Sequence, residues 1–111
     1  MPVHAANRTI TQVLITQGAA GALDLVSAAA GLKIYVVNFM ITMSVAGTIK
    51  FTEGTGPTDL TGAMSVTTGG VLTRGNSWAA PVLFTNTAGV KLGLTSTTGV
   101  AAGYLHYFYD V

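Results

Sequence analysis

The sequence predicts an all-β fold, a two-layer β-sandwich of about eight short antiparallel strands. Fourteen glycines divide the 111 residues at short intervals. The segments between them are rich in Thr, Val, Ile, Phe and Tyr, the β-branched and aromatic residues that suit a pleated surface. The clearest of these segments alternate apolar and polar side chains with period two. One stretch, Leu23–Leu32, has helix-forming alanines at Ala28, Ala29 and Ala30, but Asp24 and Ser27 interrupt it, so it reads better as a tight connection ending at Gly31.

Strands are expected over Arg8–Thr16, Ala22–Ser27, Leu32–Met43, Gly47–Glu53, Met64–Thr67, Val71–Arg74, Ala80–Thr85, Lys91–Ser96 and Gly103–Asp110. The first follows a patternless start, so residues 1–7 read as a flexible or partner-bound arm and 8–111 as a single domain. In the second, Leu23 and Leu25 alternate with Asp24; in the eighth, Leu92 and Leu94 alternate with Gly93 and Thr95. Both Leu-x-Leu pairs are expected to face inward. In the fourth, Ile49 and Phe51 share a dry face, opposite Thr48, Lys50 and Thr52. Gly69 and Gly70 mark the turn between the fifth and sixth.

The third and last strands break the rule of one dry and one wet side. Leu32, Ile34, Val36, Asn38 and Met40 oppose Tyr35, Val37, Phe39, Ile41 and Met43; Tyr104, His106 and Phe108 oppose Leu105, Tyr107, Tyr109 and Val111. A two-layer sandwich covers one face of each strand with its own core. Either a second subunit covers the other face, the favoured reading, or some strands curl between layers and are buried twice within one subunit. The candidate subunit interface is Tyr35, Val37, Phe39, Ile41, Tyr104, His106 and Phe108.

Charge is scarce. Five Lys and Arg and four Asp and Glu give a net charge of +1, where a soluble domain of this size usually has about a quarter of its residues charged. Hydroxyls and amides supply most of the polarity, and such a surface repels other copies weakly, which suits a component of an assembly. The dispersed basic residues offer no phosphate-binding footprint, so nucleic acid is not an expected partner. Leu32–Met43, the most apolar window, is shorter than the roughly 20 residues of a membrane-spanning helix, and no membrane partner is expected. Residues 1–10 lack the apolar run of a secretory signal peptide. With no cysteine, no disulfide or thiolate metal site is available.

Residues that carry chemistry are few. His4 and His106 stand far apart in sequence, and His106, in an aromatic strand, reads as a hydrogen-bonded interface residue rather than a ligand or base. Asp24, Glu53, Asp59 and Asp110 fall on different elements with no motif spacing, and no nucleophile elbow or phosphate-cradling glycine loop occurs. Catalysis and cofactors are therefore not expected. Trp78, in Gly75–Pro81, is either an exposed ring for a sugar or a protein contact, or a cap on one end of the core. Candidate contacts to a larger partner or a ligand are Pro2, Val3 and His4 in the arm, with Asn76 and Trp78.

Val45–Phe51, followed by Thr58–Met64 and Gly69–Gly70, resembles a pattern in small tailed-bacteriophage virion proteins, and Asn86–Leu94 with Gly103–Val111 resembles their final hairpin. The likeness spans Val45–Val111, and its motifs are structural. It implies a β-sandwich or jelly roll, commonly a homotrimer, attached to a capsid or tail. The expectation is a capsid decoration (cement) protein, a virion component made in the host cytoplasm, whose partners are itself and the major capsid protein. The alternative is the receptor- or carbohydrate-binding head of a tail fibre, the one reading in which a glycan is a partner; a cellular matrix or adhesion module is a third. The chain departs from the pattern in an extra Gly54–Pro57, which lengthens one loop.

Overall fold

The computed structural model describes residues 9–75 and 81–111. Among these are ten strands: β1 (Thr11–Thr16), β2 (Gly21–Val26), β3 (Lys33–Met43), β4 (Gly47–Glu53), β5 (Thr58–Asp59), β6 (Met64–Val66), β7 (Val71–Gly75), β8 (Leu83–Phe84), β9 (Leu92–Thr97) and β10 (Ala101–Asp110). They form two antiparallel sheets packed as a β-sandwich. Sheet A runs β1-β10-β3-β7, with β8 also paired to β3; sheet B runs β2-β9-β4-β5, with β6 also paired to β4.

The alternation read in the sequence builds the core. Sheet A contributes Ile15, Ile34, Val36, Phe39, Ile41, Met43 and Leu105, and sheet B contributes Leu25, Val26, Ile49, Phe51, Val66, Leu92 and Leu94. Across the layers the rings of Phe39 and Phe51 meet with centroids 5.1 Å apart. The Leu-x-Leu pairs face inward as expected: Leu92 and Leu94 are fully buried, and Leu23 packs against the cluster that holds Leu25. The Ala28–Ala30 stretch is not helical. Leu32 N–H donates to the Ala29 carbonyl at 3.0 Å, and Gly31 takes a positive φ of 74°, which turns the chain into β3.

Gln17 is buried where the chain leaves β1 in sheet A for β2 in sheet B. Its Oε1 accepts from Ser96 Oγ and from Ala101 N–H, both at 2.7 Å, and its Nε2 donates to the Gly21 carbonyl at 2.8 Å. One amide thus satisfies groups on both sheets at a corner where the backbone ladder is interrupted.

The two apolar faces of β3 have a local cause. Opposite β10 the register runs His106↔Asn38 and then Tyr107↔Val36, so Val37 is an extra residue in a β-bulge. Ile34 and Val36 face the core on one side of the bulge, and Phe39, Ile41 and Met43 face it on the other. The inward parity therefore switches within a single strand. Tyr35 and Val37 point to the outer face of sheet A, where with Phe108 they form a second buried cluster against Ile10. Tyr35 stacks on Phe108 at 5.2 Å and on Phe84 at 5.7 Å, and its hydroxyl donates to the Val111 carbonyl at 3.0 Å.

Further differences are small. The expected strand over Ala80–Thr85 is confined to Leu83–Phe84, with residues 76–80 outside the described residues, and Thr58–Asp59 adds a short strand on β4. Thr85 extends the β8 pairing by hydrogen bonding: its Oγ1 accepts from Ile34 N–H, and its N–H donates to the Ile34 carbonyl, both at 2.9 Å.

Candidate functional site

The outer faces of the two sheets differ in chemistry. On sheet B, Thr48 and Thr97 share a hydroxyl contact of 2.6 Å, Lys50 pairs with Asp59 at 3.0 Å, and Lys91 pairs with Asp24 at 2.9 Å. That face is wet and its charges are neutralised locally.

Sheet A presents rows of side chains that follow from the registers of β1, β10, β3 and β7. One row is Leu14, Tyr104, Met40 and Thr73; the next is Gln12, His106, Asn38 and Gly75; a third is Thr16, Ala102, Thr42 and Val71. None of these residues is charged. Leu14 is 67% exposed, Val71 56% and Met40 37%, although each is apolar. Lys33 and Asp110 are register partners at the far end of the face, beside the Tyr35 and Phe108 cluster.

The polar row is tied together. His106 Nδ1 lies 2.7 Å from Asn38 Oδ1, and its Nε2 lies 3.1 Å from Gln12 Oε1. A neutral imidazole donates from one nitrogen and accepts at the other, so it requires one of these amides to turn its NH2 inward, whereas an imidazolium donates to both oxygens. Tyr104 meets the His106 ring edge-on at 5.3 Å. The row is a cross-strand strut beside the apolar row, in which Leu14 and Met40 are exposed.

The candidate interface residues therefore divide into three groups. Phe39 and Ile41 belong to the inter-sheet core, because the bulge at Val37 turns them inward; they are unavailable to a neighbouring copy, which corrects their assignment. Tyr35, Val37 and Phe108 face outward but are already buried in the second cluster. Tyr104 and His106 remain partly open on the outer face. Pro2, Val3, His4, Asn76 and Trp78 lie outside the described residues. Leu14, Met40 and Val71 were missed as candidates. A signal for Leu14 was present, since it stands between Gln12 and Thr16 on the face opposite Val13 and Ile15.

Among the described residues, no three His, Cys, Asp or Glu side chains gather as a metal-holding group, and no helix is long and apolar enough to cross a membrane. Glu53 is buried at the end of β4, where its Oε1 accepts from Asn86 N–H at 2.6 Å. Two clefts accompany these features. One of about 330 Å³ lies beside the Lys91 and Asp24 pair, and one of about 250 Å³ opens between the sheets near Arg74. No protein-family model matches the chain, and no curated protein and no solved structure is detectably similar to it.

Proposed function

We propose that the protein is a non-enzymatic structural component of a bacteriophage virion, a jelly-roll subunit that forms a homotrimer through the outer face of sheet A and decorates the capsid. The observation that carries the self-association is the Leu14, Tyr104 and Met40 row, apolar and open at the centre of a sheet face whose crossing rows have no charge. A second copy is the natural cover for such a patch, since burying apolar area is favourable and no desolvated charge opposes it. An interface of ordinary size takes roughly 800 Å² from each partner, a modest part of the 5619 Å² accessible surface of one chain.

The jelly-roll reading is supported by strand order. Successive long strands alternate between the sheets, and the first and last, β1 and β10, lie side by side. Attachment to a phage capsid rests on the resemblance over Val45–Val111. In this reading, reinforcement is multivalent: each trimer makes several weak shell contacts, and their number supplies the affinity.

Imaging of virions with copy-number determination tests the location. A copy number in fixed ratio to the major capsid subunit is the expected result, and a handful of copies at the tail tip contradicts it.

A further inference from the structure

We propose that the cleft between the open edges of the two sheets binds a small amphipathic anion, with its aliphatic chain inside the sandwich and its carboxylate on Arg74. The cleft holds about 250 Å³ and is lined by Phe39, Phe51, Met64 and Leu72, with Arg74 and Thr61. It lies where β7, the edge strand of sheet A, faces the β5–β6 side of sheet B. Phe39 and Phe51 are buried, Leu72 and Met64 are half-buried, and Arg74 is exposed, so the cleft grades from an apolar floor to a basic mouth.

Arg74 is placed there by strand geometry. It stands two residues beyond the inward-packed Leu72 on β7, and its Cα register partner on β3 is the core residue Phe39. Both lysines that line the wet face have carboxylate partners, but among the described residues no ion pair or hydrogen bond involves the Arg74 side chain. Thr61 Oγ1 accepts from Phe51 N–H at 3.1 Å, which leaves its hydroxyl hydrogen to donate. A guanidinium and a hydroxyl at the mouth are donors suited to a carboxylate. The floor is made of apolar side chains, so the polar end of a ligand stays at the mouth and the chain enters.

An inward-pointing charge on an edge strand also serves to discourage strand pairing between copies. Binding separates the two roles. In an NMR titration of the whole chain, octanoate is expected to give saturable shifts at the Met64 and Leu72 methyl groups. In the series from butanoate to octanoate, affinity rises roughly fourfold per methylene until the cleft is filled. Arg74→Gln weakens octanoate binding about tenfold and leaves 1-octanol binding unchanged, while Arg74→Lys retains part of the octanoate affinity. The proposal is overturned if octanoate produces no saturable shift, if its shifts map to the outer face of sheet A, or if Arg74→Gln binds it as the native chain does.

Discussion

Gly103 on β10 presses directly against the carbonyl of Met40 on β3. A side chain at this position would run into that carbonyl oxygen, and the backbone there holds a φ of 149°. The contact lies in the middle of the most extensively paired strands of sheet A, beneath the Tyr104 and Met40 row.

Gly103→Ala is therefore expected to destabilise the fold by about 3 kcal/mol, through strain and a backbone clash that no rotamer relieves. Thermal unfolding followed by circular dichroism reads this as a lowered Tm. An unchanged Tm contradicts the close approach.

The Gln17 amide is expected to matter more than its position in a short connection suggests. Gln17→Leu keeps a similar volume but strands the Ala101 N–H and the Ser96 hydroxyl, both now satisfied by Oε1 at 2.7 Å. Two buried donors without partners cost about 3 kcal/mol. The urea midpoint measures the loss, and amide exchange at Ala101 should accelerate in the variant.

Tyr109 makes stability depend on alkaline pH. Burial, and then the neighbouring Tyr107, raises its hydroxyl above the usual 10.0. Between the unfolded and folded values, the folded chain keeps a proton that the unfolded chain releases. The contribution is thus complete below about pH 10 and is lost as pH rises through the folded value. Tyr109→Phe removes the hydrogen bond to the Ser27 carbonyl, 2.7 Å long in the native chain. The variant should be less stable at pH 8 by about 1 kcal/mol. Denaturant titrations should show the gap between native chain and variant narrowing above pH 10; a gap that widens contradicts the sign.

Much of the architecture was legible as pattern, and the losses have identifiable causes. Ile49 and Phe51 against Thr48 and Lys50, and the Leu92 and Leu94 pair, follow simple alternation, and their inward faces are where the period places them, although Thr52, expected on the wet side, is buried. β3 is different, because a bulge inserts one residue without a local mark in the sequence. Strict alternation put Phe39 and Ile41 with Tyr35 and Val37, whereas the bulge sends the first two to the core. Apolarity on both faces was real, but the chain itself buries Tyr35, Val37 and Phe108. The open part of the face depends on registers among β1, β10 and β3, which are long-range pairings that no local pattern encodes. Gln17 was illegible for the same reason, since the two groups its Oε1 accepts from lie 79 and 84 residues away.

Sedimentation equilibrium of the native chain beside a Leu14→Ser, Met40→Ser double variant tests the assembly face most directly. Both residues are exposed in the subunit, so the variant should keep the native far-UV spectrum. The native chain is expected at three times the 11.3 kDa subunit mass and the variant at the subunit mass. A native chain that stays monomeric at tens of micromolar, or a variant that still forms the trimer, contradicts the assignment of this face.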